Sequence, residues 1–410
     1  MPTSGDFFRI SQLPPYPLGE IAHAVRAAQA AGEEIIDLSQ INPDLGPPAA
    51  AVDKLVQACL QPHNHRYSAS QGITKLRAAC ASWYEQRFGV ALDAASEIVV
   101  TMGTKEGLSH LLLAVVSPGD TVIVPAPSYP IHVSAVFISG ASLVGLPLFS
   151  SYAQAAQNDY HLSAASGDFF DRLDRMYHNT WPRPKFIVLS FPHNPTATTV
   201  DTGFFQRLVE FALKNRTYIV HDFAYADLCF DGFHAPSILA LPRAKEVAVE
   251  YYSLSKGFGM PGWRLGFCVG NPRLVSALKR IKSYLDSGVF QPLQIAALKL
   301  LDAGALSAVE YLRETAAVYQ ARRDVLTSGL TASGWELSVP RATVFVWARI
   351  PERFRSVGSL AFSRRLLENA RVAACPGIGF DQQADEYLRF ALVEPERKLR
   401  QAVERIGELS

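Results

Sequence analysis

The sequence predicts an α/β protein, in which a large domain with a mostly parallel sheet covered by helices is joined to a smaller α+β domain. Hydrophobic residues make up 49% of the 410 residues, enough to fill the cores of two or three compact units. Short apolar segments alternate with amphipathic ones in the middle of the chain, and after Pro272 long helical patterns replace this alternation. We therefore expect an N-terminal arm with part of the small domain at 1–48, a large cofactor-binding domain at 49–290 and a small C-terminal domain at 291–410.

Five short apolar segments predict buried strands, because each ends at or near turn residues or the start of a helical pattern. They are 97–103, 121–127, 185–191, 217–223 and 247–255. Between them, 105–116 and 203–216 carry apolar residues three and four positions apart, which predicts helices and hence parallel strand pairing. Beyond Pro272, helices are predicted at 274–286, 309–326 and 394–409, and strands at 342–350 and 386–393.

Composition excludes several classes of protein. The net charge is +1, from 39 basic and 38 acidic residues, so no electrostatic signature for nucleic acid or an anionic membrane is present. No segment reaches the roughly 18 apolar residues of a membrane span, and the first ten residues lack the pattern of a signal peptide. We expect a cytoplasmic protein. Its five scattered cysteines are typical of reduced thiols, and no metal-binding pattern occurs.

The segment SLSKGFGMPGWRLGF at 253–267 admits two interpretations. Gly257, Gly259 and Gly262 match the glycine pattern of a dinucleotide-binding turn. Such a turn must open a helix, whose N-terminus binds the pyrophosphate. Here the glycines lead instead into a β-rich run that ends at Gly270 and Pro272, which predicts another strand. The alternative interpretation is a site built around Lys256.

Chemically related residues follow the five predicted strands, and ligands of open parallel sheets bind at the carboxyl ends of the strands. These residues offer a phosphate grip at a helix N-terminus, an aromatic ring, an amide, a carboxylate with a phenol, and an amine with a nearby guanidinium. Each one alone has an ordinary structural explanation, but together they are the parts needed to hold pyridoxal 5'-phosphate. They are Gly103, Thr104 and Lys105, then Tyr129, then Asn194, then Asp222 and Tyr225, and finally Ser253, Ser255, Lys256 and Arg264.

Over residues 8–406 the chain resembles the fold-type I, class I/II pyridoxal-phosphate-dependent aminotransferases. Within them it is most similar to bacterial glutamate–pyruvate (alanine) aminotransferases and diaminopimelate-aminotransferase-like relatives. The motifs that carry the resemblance are HRYSASQGITKLR (65–77), GTKEGLSHL (103–111), PSYPIH (127–132), FPHNPTA (191–197), HDFAYADL (221–228), SLSKGFGMPGWRLGF (253–267) and YLRFAL (387–392).

The resemblance implies a role for each residue. Lys256 forms a Schiff base with the cofactor, Asp222 accepts the pyridinium N–H, Tyr225 and Asn194 bond the ring 3'-oxygen, and Tyr129 stacks on the ring. The 5'-phosphate is held by the segment Gly103, Thr104 and Lys105, by Ser253 or Ser255, by Arg264, and by Tyr67 of the second subunit of a homodimer. The substrate α-carboxylate binds Arg389, a guanidinium fork suited to a carboxylate, with Asn194, Ile41 and Tyr16 also in the substrate site.

Three departures from the family pattern bear on specificity. Ile41 stands where relatives usually have a glycine before Asn-Pro, and it either narrows the substrate site or has only a surface or core role. Ala197 replaces a usual glycine, and we expect it to be tolerated. The segment 284–294 has no arginine that could act as a second carboxylate clamp, so the amino donor is expected to have a small or neutral side chain.

The resemblance implies an aminotransferase that moves an amino group between alanine or a similar small amino acid and an oxo acid such as 2-oxoglutarate, with ping-pong kinetics. One alternative keeps the cofactor but performs elimination, replacement or cyclisation on an amino acid, and Ile41 is the feature that favours it. Another is a binding protein without catalysis, which the presence of Lys256, Asp222 and Arg389 disfavours.

Overall fold

A computed structural model describes residues 17–150, 160–302 and 306–409, together with Phe7, Ser11 and Leu13. The helices are α1 (Pro17–Ala30), α2 (Ala49–Cys59), α3 (Thr74–Phe88), α4 (Thr104–Val115), α5 (Pro130–Ser139), α6 (Gly167–Asn179), α7 (Thr202–Asn215), α8 (Pro272–Leu285), α9 (Gln291–Leu301), α10 (Leu306–Ala332), α11 (Ser359–Arg365) and α12 (Glu396–Glu408). The strands are β1 (Ile36–Leu38), β2 (Ile98–Thr101), β3 (Thr121–Ala126), β4 (Ser142–Pro147), β5 (His161–Leu162), β6 (Phe186–Ser190), β7 (Thr199–Val200), β8 (Tyr218–Asp222), β9 (Ala248–Ser253), β10 (Gly266–Gly270), β11 (Glu336–Leu337), β12 (Phe345–Arg349), β13 (Val372–Pro376) and β14 (Tyr387–Ala391).

A seven-stranded sheet forms the centre of the larger unit, with strand order β2-β10-β9-β8-β6-β3-β4. All neighbours pair in parallel except β10, which is antiparallel to both β9 and β2. Its strands are apolar on both faces, as expected for a sheet covered on both sides. The mostly parallel, helix-covered sheet predicted from the sequence is therefore confirmed.

Two layers of helices cover this sheet. On one face α4, α5 and α8 pack on strand residues such as Val122 and Val220, and on the other α3, α6 and α7 pack on residues such as Ile187. Local sequence explains where α7 begins. The Asp201 side chain accepts a hydrogen bond of 2.7 Å from the backbone N–H of Phe204 at the start of α7, satisfying one of the donors that a helix N-terminus leaves unpaired.

The smaller unit contains a five-stranded sheet of order β1-β13-β14-β12-β11. Strand β1 comes from the N-terminal part of the chain and pairs in parallel with β13, so the two ends of the chain meet in one sheet. Helices α10 and α12 pack on this sheet through residues such as Leu326 and Leu399. The domain limits at residues 48 and 290 stay a prediction; α9, just beyond the second limit, packs against α2 and α3 of the larger unit.

The glycine pattern at 257–262 does not open a helix. Residues Pro261–Trp263 form a single 3₁₀ turn, and β10 follows directly. A dinucleotide-binding turn is thereby excluded in favour of the predicted strand. Among the described helices, none is both long and apolar enough to cross a membrane.

Candidate active site

A cavity of about 570 Å³ lies at the carboxyl ends of the parallel strands, between the large sheet and the small unit. It gathers residues that are hundreds of positions apart in the sequence. Twelve of the residues predicted for the site line it: Ile41, Thr104, Lys105, Tyr129, Asn194, Asp222, Tyr225, Ser253, Ser255, Lys256, Arg264 and Arg389.

Three predicted residues stand apart from this group. Gly103 lies immediately behind Arg264 rather than on the cavity wall. Tyr67 is 92% exposed in the single chain, so its assignment to the site of a second subunit stays a prediction. Tyr16 lies outside the described residues.

Lys256 follows the turn after β9 and extends into the cavity. Its Nζ donates a hydrogen bond of 2.9 Å to the backbone carbonyl of Ile41. Burial, reinforced by the positive charges of Arg389 and Arg264, lowers the pKa of Lys256 to about 7. The amine is thus available in its uncharged, nucleophilic form near neutral pH.

Asp222 ends β8 and uses its two carboxylate oxygens differently. Its Oδ2 lies 3.1 Å from Nε2 of His132, whose Nδ1 is 3.1 Å from the Ser128 hydroxyl. Its Oδ1 is buried and has no hydrogen-bond partner among the described residues. Because a buried carboxylate oxygen requires a donor, this atom matches the N–H of a protonated ring nitrogen.

Arg389 on β14 is 4% exposed and is held from several sides. Its Nη1 donates to Asn194 Oδ1 at 2.9 Å and its Nη2 to the Ser39 carbonyl at 3.2 Å. Its guanidinium carbon lies 5.3 and 4.9 Å from the ring centroids of Phe345 and Phe380. Its Nε has no partner in the described chain, so the buried guanidinium retains a donor for an anionic ligand.

Tyr225 places a phenol beside this arginine and the Asp222 carboxylate. The Asn194 side-chain amide donates to its hydroxyl at 3.4 Å. Burial raises the pKa of the Tyr225 hydroxyl, which is therefore protonated at neutral pH and able to donate a hydrogen bond.

The N-terminus of α4 forms the other end of the cavity. Gly103 precedes the helix with φ +77°, and a Cβ built on it would lie 2.5 Å from Arg264 Nη2. Only glycine therefore lets the backbone and the guanidinium approach this closely. Helix amides, this arginine and the hydroxyls of Ser253 and Ser255 together suit a phosphate group.

These features fit pyridoxal 5'-phosphate. The Asp222 oxygen without a partner, the amine of Lys256 and the phosphate cradle at α4 correspond to the ring nitrogen, the aldehyde and the phosphate of that molecule. The fit rests on the chemistry of the donors and on the buried oxygen, which has no other function in the described structure.

The sequence analysis missed several polar residues that line the cavity, and four of them bear on the site described here. Ser39, Cys375 and Arg26 line it, and His132 lines it while orienting Asp222. Of these four, only His132 had a detectable signal, since it lies three positions after Tyr129 at the start of α5 and so on the same helical face. The other three come from the N-terminal region and the end of β13, where no strand-end pattern pointed to the site.

The residues that depart from the family pattern are placed as follows. Ile41 is half-buried, lines the cavity, packs against the core of the smaller unit and contributes the carbonyl that binds Lys256, and its effect on substrate size stays a prediction. Ala197 has φ +57°, a left-handed conformation that glycine adopts more readily.

Glu106, His110 and Asp286 are the described residues grouped closely enough to hold a metal ion. The ammonium of Lys282 already lies 3.0 Å from Glu106 Oε1 and 2.9 Å from Asp286 Oδ2. This fully buried cation pairs with both carboxylates, so the group is an ion-pair network that anchors α8 to α4.

The comparisons with known proteins agree with this geometry. The sequence model of the family described as aminotransferase class I and II matches residues 33–406. The glutamate–pyruvate aminotransferase AlaC of Escherichia coli (strain K12) is 45% identical over 97% of this chain and 92% of its own length. The LL-diaminopimelate aminotransferase of Moorella thermoacetica is 38% identical over 97% of this chain and 96% of its own. Among solved structures, substrate-bound BacF from Bacillus subtilis is 31% identical with a TM-score of 0.86, covering 100% of this chain and 98% of that one.

Proposed function

This chain belongs to the class I and II aminotransferases, which depend on pyridoxal 5'-phosphate, and on that premise we propose that it exchanges an amino group between alanine or a similar small amino acid and an oxo acid such as 2-oxoglutarate. The observation that carries the proposal is the meeting, in one cavity, of the Lys256 amine, the Asp222 oxygen without a partner and the buried guanidinium of Arg389. The 45% identity to a glutamate–pyruvate aminotransferase supports the choice of substrates.

The cofactor, when bound, supplies an aldehyde that links to amino groups and a ring that accepts the electron pair left when the substrate Cα loses a proton. In this chain we assign the phosphate to the N-terminus of α4 with Ser253, Ser255 and Arg264. Tyr129 would lie against the ring, and Asn194 and Tyr225 would bind its 3'-oxygen.

Arg389 binds the α-carboxylate of the substrate in this proposal. The stacking on Phe345 and Phe380 and the hydrogen bond to Asn194 orient the guanidinium before substrate arrives. Preorganisation of this kind lowers the entropy lost on binding and places the substrate Cα relative to Lys256.

Lys256 moves the proton. Its pKa of about 7 lets the amine take a proton from Cα and return one at neutral pH, which is the requirement for a general acid and base. Asp222 holds a proton on the ring nitrogen through the oxygen that His132 leaves free, and the negative charge of the carboxylate favours that protonated state.

The size of the donor is set by the wall of the cavity. In this proposal Ile41, which lines the cavity, lies on the substrate side and favours a methyl side chain over a long one. We therefore place alanine ahead of LL-diaminopimelate as the amino donor, although relatives with either activity share the fold.

The test is a single half-reaction. Purified protein loaded with pyridoxal 5'-phosphate is mixed with L-alanine, L-glutamate or LL-diaminopimelate in the absence of any oxo acid. We expect L-alanine to convert the visible absorbance of the pyridoxal form to that of the pyridoxamine form and to release one pyruvate per site. A Lys256→Ala variant should leave this conversion at background. Failure of L-alanine to convert the pyridoxal form, together with release of ammonia and pyruvate from L-serine, whose β-hydroxyl can leave as water, would contradict alanine transamination and favour an elimination enzyme. Faster conversion by LL-diaminopimelate would contradict the choice of donor.

A further inference from the structure

Helix α1 brings a second arginine to the cavity. Leu18, Ala22 and Arg26 line it, and their spacing of four residues places them on one face of the helix. In the adjacent row on the same side of the helix, Ile21 and Val25 are 1% and 3% exposed and pack in a cluster with Leu367, and Ile21 also lines the cavity. The helix is thus anchored by its apolar face, and Arg26 is presented at the exposed mouth of the cavity by a rigid element.

Arg26 has no partner of opposite charge among the described residues. No hydrogen bond or ion pair joins its guanidinium to another part of the described chain, whereas Glu20 on the same helix pairs with Arg364. A guanidinium cannot lose its charge at physiological pH. A positive charge is therefore available to a ligand at this point.

The charges that line the cavity are unbalanced. Five basic side chains, Lys105, Lys256, Arg264, Arg389 and Arg26, face one carboxylate, that of Asp222. Under the proposed function Lys105 and Arg264 bind the phosphate, Lys256 reacts with the aldehyde, and Arg389 binds the substrate α-carboxylate. Arg26 is left for a further anionic group.

We propose that Arg26 binds the distal carboxylate of a dicarboxylic substrate, so that it determines the preference of the cavity for an acid such as 2-oxoglutarate over a monocarboxylic oxo acid. Both arginines line one cavity, with Arg389 buried and Arg26 at its mouth. A dicarboxylate bound at Arg389 directs its second carboxylate toward α1, where the planar guanidinium offers two parallel donors. Alanine and pyruvate carry no group for this contact.

This inference also accounts for an expectation from the sequence. The segment 284–294 has no arginine for a second carboxylate, yet the proposed reaction pairs a small amino acid with a dicarboxylic acid. Arg26 on α1, at the mouth of the cavity, binds the dicarboxylic acid. The cavity wall beside Ile41 can then still limit the size of the small amino acid. The inference rests on the proposed function for the assignment of Arg389 and the cofactor.

Binding of unreactive acids tests the inference directly. The protein is loaded directly with pyridoxamine 5'-phosphate and titrated by calorimetry with glutarate, a dicarboxylate, and with butyrate, a monocarboxylate. In Arg26→Gln we expect the ratio of glutarate to butyrate affinity to fall about 10-fold or more, because a charge-assisted hydrogen bond is lost. Arg26→Lys should recover part of the ratio, since it keeps the charge but not the fork.

A matched control is His23→Gln, which changes an exposed residue of the same helix that does not line the cavity, and should leave the ratio unchanged. An unchanged ratio in Arg26→Gln, or an equal loss of affinity for both acids, would overturn the assignment. These binding measurements do not require turnover, so a failure of alanine transamination in the wild-type protein counts against the proposed function and not against Arg26.

Discussion

At the scale of single residues, Asp222 shows how a buried carboxylate is prepared for a ligand. The Ser128 hydroxyl, the His132 ring and the carboxylate lie in a chain of two contacts of 3.1 Å each. These contacts engage Oδ2 of Asp222 and leave its Oδ1 free for a ligand in the cavity. Since a buried oxygen without a donor is unfavourable, the site is complete only when a ligand supplies one.

Lys256 leads to a prediction about pH. Its pKa is lowered to about 7, from about 10.4 for an unburied lysine, so the uncharged fraction rises as pH increases through about 7 instead of through about 10. In the protein without cofactor, we expect the rate of acetylation of Lys256 by trace acetic anhydride to reach half of its maximum near pH 7. Mass spectrometry of the Lys256 peptide measures this rate.

The control for this experiment is the same peptide labelled in the denatured protein, where the half-maximum should lie about three units higher. Coincident curves for the native and denatured protein would show that the cavity does not perturb this amine, and would remove it as the proposed proton carrier at neutral pH.

At the scale of an element, the start of α4 depends on one glycine. Gly103 has φ +77° and ψ 167°, a region that is almost exclusive to glycine. Its missing side chain also leaves the space that Arg264 enters. The same residue therefore sets the backbone that begins the helix and the distance between the helix amides and the arginine.

Gly103→Ala should weaken cofactor binding. The added Cβ displaces the guanidinium of Arg264 from the N-terminus of α4 and separates two parts of the proposed phosphate site. We expect the affinity for pyridoxal 5'-phosphate to fall about 10-fold or more, and the stability of the protein without cofactor to fall by about 1–3 kcal/mol from backbone strain. Spectroscopic titration and denaturant unfolding measure the two effects.

Gly358→Ala is the matched control. Gly358 also precedes a helix, has φ 77° and ψ 161°, and would place its Cβ 2.8 Å from a charged atom, Asp385 Oδ2. It does not line the cavity. Its variant should lose similar stability and keep the cofactor affinity, so equal effects on affinity in both variants would contradict a phosphate site at α4.

At the scale of the whole molecule, one surface is unusually apolar. Val56 on α2, Leu60 directly after that helix, Tyr67 and Phe290 are 56%, 74%, 92% and 43% exposed. They are neighbours, because α2 packs on α9 and the His65 ring lies 5.6 Å from that of Phe290. Such a patch is typical of an interface, and the assignment of Tyr67 to a second subunit, which the family resemblance implies, points to the same surface.

We expect a charge in this patch to break the proposed homodimer. Val56→Glu should shift the sedimentation velocity of the protein from dimer to monomer and should lower its affinity for pyridoxal 5'-phosphate, since each site would lose Tyr67 of the second subunit. Trp181→Glu, at an apolar side chain that is 86% exposed on another part of the surface, is the control and should remain dimeric. A wild-type monomer with full cofactor affinity would contradict the prediction.

The local sequence predicted most strands and helices of the large sheet, and it predicted the site residues that follow those strands. The strands and helices were predictable because the 2.0 and 3.6 residue periods of apolar side chains follow from backbone geometry alone. Residues such as Asp222, Asn194 and Lys256 were predictable because parallel strands bring their carboxyl ends to one edge, so position after a strand indicates position in space. Arg389 was assigned through the resemblance and not through its spacing.

Other features depended on packing between distant segments. Ser39 and Arg26 reach the cavity because β1 pairs with β13 and α1 packs beside it, and no local pattern specifies either contact. The pKa of Lys256 and the oxygen that Asp222 leaves without a partner arise from burial and from neighbours on several different elements. A sequence reports which groups a chain contains and which backbone period they follow. Their desolvation and mutual distances are properties of the assembled core, where many long-range contacts form together.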